Sequence, residues 1–334
     1  NVTAPGFCSL GYLGKEMKKR TGKFLFGFIG IVIFLGIVAL LGGFYLVDYA
    51  LKPVNRGKDI EGSYAYMYKE YPYLRQWVDS LNQAQALKDT FILSPDGVKL
   101  HAYYVAAKQP TRKTAVLVHG YTDNAIRMFM IGHMYNHSLD YNILLPDLRY
   151  SGLSEGDYIQ MGWNDRKDVM QWMEVAHHIY GDSTQMVVHG ISMGGATTMM
   201  VSGEELPSYV KAFVEDCGYT SVWAQFKKEL KEEFNLPAFP LLYVANAICQ
   251  YRYGWNFKEA SSLNQVEKCR LPMLFIHGGK DKYVPTYMGE EVFQAKPQPK
   301  KLWIEAESAH ATSYRTNPQA YTNQVSNFLK EYNN

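Results

Sequence analysis

The stretch Met186–Met200, MVVHGISMGGATTMM, decides the fold. Met186–Val188 is a short apolar run that reads as a buried strand, and Ala196–Met200 reads as a continuing helix. Between them lies Gly190-Ile191-Ser192-Met193-Gly194, a G-x-S-x-G pattern. A strand that turns sharply into a helix forces the turn residue to positive φ. The flanking backbone then comes so close that Gly190 and Gly194 leave no room for a side chain. Gly195 would let the helix pack tightly on the sheet. A plain strand–helix turn with Ser192 as helix cap fits the same residues, so the rest of the chain has to decide.

The chain has 334 residues and suits one large domain with appendages. Hydrophobic residues make up 47% and charged residues 20%, which excludes a disordered chain. A net charge of +2 without a basic stripe argues against a nucleic-acid partner. Cys8, Cys217, Cys249 and Cys269 show no metal-ligand spacing. A Cys249–Cys269 disulfide is open if the domain lies outside the cell.

Phe24–Val47 (FLFGFIGIVIFLGIVALLGGFYLV) carries no charge and exceeds the roughly 20 residues that span a bilayer. Lys15, Lys18, Lys19, Arg20 and Lys23 crowd its upstream flank, whereas acids dilute the bases downstream. That bias predicts a cytoplasmic tail over 1–23, a single-pass anchor over 24–47 and an extracytoplasmic remainder at the cell membrane. A cleaved signal peptide and a buried core helix are the rival readings. A connector over 48–88 follows, with apolar Tyr73, Leu74, Trp77, Val78 and Leu81 at helical spacing.

From residue 89 the periodicity changes. Two strands flank a Pro95-Asp96-Gly97 turn, then short apolar runs alternate with helical segments. Strands are expected around Ala115–Val118, Ile143–Leu145, Met186–Val188, Ala212–Val214, Met273–Ile276 and Leu302–Ile304. Helices are expected over Asn124–Asn136, Arg166–Tyr180, Met193–Glu204, Thr286–Gln294 and Pro318–Tyr332. This predicts an α/β fold over 89–334, its mostly parallel sheet flanked by helices. Residues 219–271 break the rhythm and read as a small helical cap over the C-terminal strand ends, where open α/β sheets bind ligands. Its many aromatics line an apolar pocket or pack the cap onto the core.

A serine hydroxyl needs a base to take its proton and an acid to orient that base. His310, in a loop after the last apolar strand, lies downstream of every acid candidate. His119, His189 and His277 each precede a glycine at a strand end and read as turn residues. Asp281, in FIHGGKDKYVP, is the favoured acid, with Asp216 in VEDCGY as competitor. Two backbone N–H groups must hold the developing oxyanion. Met193 supplies one, and Tyr121, in the VLVHGYTDN loop, supplies the other. Asp123 and Asn124 read as helix caps. No metal-ligand spacing or phosphate loop is present, so no metal or organic cofactor is expected.

Together VLVHGYTDN, LLPDLRYSGLSEG, GISMGG, HGGKDKYVP and SAHA resemble the α/β-hydrolase superfamily of serine hydrolases, most closely the membrane-anchored esterase type with one N-terminal span. The resemblance runs from about Thr90 to the C-terminus. It implies an α/β-hydrolase fold of about eight strands, with Ser192, Asp281 and His310 as triad and Tyr121 and Met193 as oxyanion hole. Ser151 departs from the pattern, standing where many relatives carry a non-catalytic His. In the same segment Asp147 and Arg149 read as structural residues near the site. The expected activity is hydrolysis of a small-molecule acyl ester, carboxylesterase- or lipase-like, through an acyl-enzyme. A prolyl-oligopeptidase-like peptidase, a thioesterase and a non-catalytic binding module are the alternatives.

Overall fold

A computed structural model describes residues 9–54 and 56–332, with side chains from Leu25 onwards; Cys8 lies outside the described residues. A 43-residue helix, α1 (Ser9–Leu51), comes first, followed by α2 (Ile60–Glu70) and α3 (Tyr73–Gln83). Next are the hairpin strands β1 (Lys88–Leu93) and β2 (Lys99–Val105), then β3 (Lys113–Val118), α4 (Phe129–His133) and β4 (Asn142–Pro146). The chain continues through α5 (Asp165–Tyr180), β5 (Gln185–Ile191), α6 (Met193–Ser202) and β6 (Val210–Asp216). Three helices, α7 (Val222–Phe234), α8 (Leu241–Tyr253) and α9 (Ser262–Val266), separate β6 from β7 (Met273–Gly278). The chain then runs through α10 (Thr286–Ala295), β8 (Lys300–Glu305), α11 (Ser313–Thr316) and α12 (Pro318–Tyr332).

The eight strands form one sheet in the order β1-β2-β4-β3-β5-β6-β7-β8. The β1–β2 and β2–β4 pairs are antiparallel and all others parallel. Every residue of β4 and β7 is buried, as strands covered on both faces require. Alternating residues divide between two cores. Val116, Val118 and Val188 pack with Trp172 and Met173 of α5 and with α6. Ala115, Leu117 and Val187 pack with Trp77 of α3, Phe129, and Tyr321 and Phe328 of α12. The architecture is the α/β-hydrolase fold.

α3 forms where the apolar spacing places it, and its Leu74, Trp77 and Val78 face the core. α2 has no counterpart in the sequence reading. Its apolar side is mostly tyrosine, an ambiguous signal, but Asp59 caps its start by accepting the Gly62 N–H at 2.8 Å. It ends before Tyr71-Pro72, because the residue before proline is pushed out of the helical region. The single helix expected over Asn124–Asn136 is instead a 3-10 turn (Ala125–Met128), α4 and a π turn (Met134–Ser138). Asn124 caps that segment. Asn136 turns its side-chain amide to the Ala106 and Tyr141 carbonyls across the π turn. α6 stops at Ser202, before Gly203, and not at Glu204.

α1 continues on both sides of the apolar stretch. Among the described residues it is the one helix long and apolar enough for a membrane span or signal sequence. Its outer surface is bare from Leu25 to Leu41, but Val47 and Leu51 are fully buried in the core. Cys249 and Cys269 are both free and buried, so they do not pair.

Candidate active site

Ser192 sits where β5 turns into α6, at φ 58° and ψ −119°. That strained conformation aims the side chain away from both elements. A Cβ on Gly190 would stand 2.0 Å from the Gly194 carbonyl oxygen, and one on Gly194 would stand 2.0 Å from that of Val118. Both lie inside any permitted contact, so the two glycines are steric conditions of the turn. The Ser192 N–H is tied to the Asp216 carbonyl at 2.8 Å, which fixes the elbow to β6.

Ser192 Oγ lies 2.7 Å from His310 Nε2. On the other side of the ring, His310 Nδ1 lies 2.7 Å from Asp281 Oδ2. The remaining carboxylate oxygen, Asp281 Oδ1, accepts the Tyr283 and Val284 N–H groups at 2.9 Å each. Tyr283 also packs edge-on against the His310 ring, with centroids 4.9 Å apart. The histidine is thus held from two sides.

Burial opposes ionisation of Asp281, but hydrogen bonds from His277 and His310 and the charges of both rings outweigh it. The carboxyl is held down at about 2. His277 is the residue the sequence reading passed over. The glycine that follows it suggests a turn role, yet its Nε2 lies 3.5 Å from Asp281 Oδ2 and 2.8 Å from the Val284 carbonyl. His277 lies on β7 and Asp281 in the loop beyond it, so no regular spacing in the sequence signals the contact.

Asp216, the competing acid, is elsewhere. It is buried beneath the elbow, and its Oδ2 accepts the Tyr321 hydroxyl at 3.0 Å. Burial raises its pKa to about 6, against the pull of that hydrogen bond. Asp216 therefore reaches α12. His189 and His119 are buried: His189 between the Tyr135 and Tyr321 hydroxyls, His119 accepting the Leu148 N–H. Arg149 does not reach the site either. It clamps Asp96 in the hairpin turn and Asp168 in α5. Asp147 is structural, accepting the Ala125 and Leu153 N–H groups and facing His101.

Met193 is the first residue of α6, so its N–H has no acceptor within the helix. The Gly120-Tyr121 turn lies against the elbow: a Cβ on Gly120 would stand 3.5 Å from Ser192 Cβ. Tyr121, Met193 and Ser192 all line one cavity of about 500 Å³. Of the aromatics between β6 and β7, Tyr219, Phe226, Phe234 and Phe257 face that cavity. Trp255 is packed into the core instead. The cavity is also lined by Leu46, Tyr49 and Ala50 of α1, a placement with no local signature in that apolar run.

Among the described residues, the one cluster of donors close enough to hold a metal ion is Cys217, Asp281 and His310, within 4.8 Å of one another. Two of its members are the pair already bonded to each other. Burial raises the Cys217 thiol far above its ordinary value, which leaves it protonated and a poor ligand.

The fold and the family match that follows place the chain among the serine hydrolases of the α/β-hydrolase superfamily, and the strained serine with a histidine beside it suits that class. Residues 129–334 match the model of the prolyl oligopeptidase family, and the chain belongs to that family. It is 29% identical over 250 residues to YqkD, an uncharacterized protein of Bacillus subtilis, covering 75% of this chain and 81% of that one. It is 24% identical to the α/β-hydrolase domain-containing protein WAV2 of Arabidopsis thaliana, over 73% of this chain and 79% of that one. Among solved structures, the Pyrococcus furiosus esterase Pf2001 superposes with a TM-score of 0.61 at 21% identity, over 75% of this chain and 95% of that one. The acylaminoacyl peptidase of Pyrococcus horikoshii superposes at 0.54 with 17% identity, over 74% of this chain and 41% of that one. These structural likenesses bear on the fold alone.

Proposed function

We propose that the protein hydrolyses acyl esters through Ser192, His310 and Asp281. The observation that carries this reading is the unbroken hydrogen-bond chain, 2.7 Å at each link, at a mostly apolar cavity. His310 Nε2 takes the Ser192 proton as Oγ attacks the ester carbonyl. The Tyr121 and Met193 N–H groups receive the oxyanion. As the ester C–O bond breaks, His310 returns the proton to the departing alcohol, leaving an acyl-Ser192 ester. His310 then takes a proton from water, whose oxygen attacks the acyl carbon; the acyl C–Oγ bond breaks, His310 returns that proton to Ser192 Oγ, and the carboxylic acid leaves. Ionised Asp281 holds the ring in the required tautomer and stabilises its charged form.

In this reading, residues 24–47 anchor the chain in the cell membrane with residues 1–23 cytoplasmic. The connector (48–88) and the catalytic domain (89–334, with 219–271 as cap) lie on the far side. The basic flank upstream of the apolar stretch supports that orientation. Protease added outside intact cells should then digest the catalytic domain. Digestion only after lysis refutes the orientation.

The family match supports a second reading, cleavage of peptide bonds by the same residues. The two are separated by comparing kcat/KM for p-nitrophenyl acyl esters and for aminoacyl p-nitroanilides. The ester reading expects the esters to lead by at least about tenfold, and a lead for the anilides refutes it.

A further inference from the structure

We infer that the cavity beside Ser192 is an acyl-chain pocket with α1 as one wall, and that its substrate is a long-chain acyl ester drawn from the bilayer α1 spans. The inference rests on the serine-hydrolase and anchor readings above and names the substrate class of that same site.

The first observation is what builds the cavity. Leu46 and Ala50 of α1 line it together with Leu230, Leu242 and Phe257, and Ser192 is in the same lining. A volume of about 500 Å³ with largely hydrocarbon walls suits a flexible alkyl chain better than a polar peptide.

The second is that the α1 wall is fixed and not a loose tether. Val47 and Leu51 are fully buried. The Tyr49 hydroxyl donates to Glu233 of α7 at 3.0 Å, and Arg252 of α8 donates to Asp48 at 2.9 Å. The Tyr121 hydroxyl, on the turn beside the nucleophile, donates to the Ala50 carbonyl at 2.8 Å. A Cβ on Gly43 would stand 2.7 Å from Val244 Cγ1, so α1 and α8 meet with almost no gap.

The third is the level at which the pocket begins. At about 1.5 Å per residue, Leu25–Phe44 covers the roughly 30 Å of a bilayer's hydrocarbon core. Leu46, on the next turn, already lines the pocket. Beside Leu40 and Phe44, an apolar groove continues onto α8 through Phe239 and Tyr251, which are 73% and 89% exposed. With Tyr45 and Tyr49, these aromatics form a belt of the kind that sits at headgroup level. Phe44 of this groove and Leu46 of the pocket stand two residues apart on α1, which puts the pocket within one helical turn of the groove.

The test uses the full chain reconstituted in phosphatidylcholine vesicles, with p-nitrophenyl esters from acetate to dodecanoate. The expected kcat/KM rises with chain length, by up to roughly fourfold per methylene buried. Leu46→Trp, which fills the α1 side of the cavity, is expected to lower the decanoate-to-acetate ratio at least tenfold. Ala50→Leu is the second variant should the first fail to fold. Dodecanoate confined to the enzyme's own vesicles should turn over at least tenfold faster than dodecanoate in separate vesicles. A flat chain-length profile, an unchanged ratio in both folded variants, or equal rates from the two vesicle populations overturns the inference. Normal fluorophosphonate labelling in such a case leaves the serine-hydrolase reading standing. Absence of labelling removes that reading and the inference with it.

Discussion

Ser192 Oγ and His310 Nε2 lie 2.7 Å apart although 118 residues separate them. The contact exists because Ser192 and the loop after β8 both follow the C-terminal ends of parallel strands, where open α/β sheets gather their functional loops. The hydrogen-bond chain ends at Asp281, whose other oxygen is occupied by two backbone donors.

Asp281→Asn should lower kcat by roughly 10⁴-fold, the scale set by losing the carboxylate that selects the histidine tautomer. It should also expose a pH-dependent stability difference. The folded-state value, about 2, lies below the ordinary aspartate value of 3.8. The carboxylate's contribution is therefore present above about pH 4 and is lost as the pH falls through about 2. Its size is on the order of 2 kcal/mol. Urea unfolding of parent and variant between pH 2 and 7 measures the gap, which should close at the acid end.

Tyr321→Phe removes one hydroxyl that serves two buried groups, His189 Nε2 and Asp216 Oδ2. The expected loss is about 1–3 kcal/mol, the cost of stranding buried polar atoms. Asp216 is already raised to about 6 by burial, and the lost donor should raise it further. A carboxyl raised on folding stabilises fully below its unfolded value and progressively less as the pH rises through its folded value. The variant's deficit should therefore be larger at pH 7 than at pH 4, as read by chemical denaturation.

Gly194→Ala puts a methyl 2.0 Å from the Val118 carbonyl oxygen, with backbone on both sides of the clash. Neither partner is a flexible side chain, so relief requires moving β3 or α6. A loss of about 3 kcal/mol or more, or failure to fold, is expected. A melting temperature within a few degrees of the parent would count against the tight elbow.

Leu51→Ala should cost about 2–5 kcal/mol, because the side chain is fully buried at the end of α1. By the same reasoning, a fragment starting at Leu51 loses Val47 and the α1 cover on α8. It should melt lower than the full chain in detergent. Equal melting temperatures would show α1 to be a tether only.

The approach of Asp281 and His310 to Ser192 has a local signature: a glycine on each side of the serine, and an acid and a histidine in loops after successive strands. The sheet followed from short apolar runs alternating with helical ones, and the structure lengthens most of those runs by one to three residues at their ends. What stayed hidden were relationships with no local signature. Asp48 and Arg252 are 204 positions apart, and neither is unusual in its own helix. The apolar run of α1 signals burial in lipid or protein alike, so its last two turns gave no hint that they wall a cavity. α2 went unseen because Tyr64, Tyr66 and Tyr68 serve an interior and a surface equally well.

Reaction of the full chain with a fluorophosphonate probe, followed by mapping of the modified peptide, tests the role of Ser192 most directly. The expected result is a single adduct on Ser192, absent in Ser192→Ala and strongly slowed in His310→Ala, with all three proteins equally folded. An unlabelled but folded parent, or equal labelling of Ser192→Ala, would contradict it.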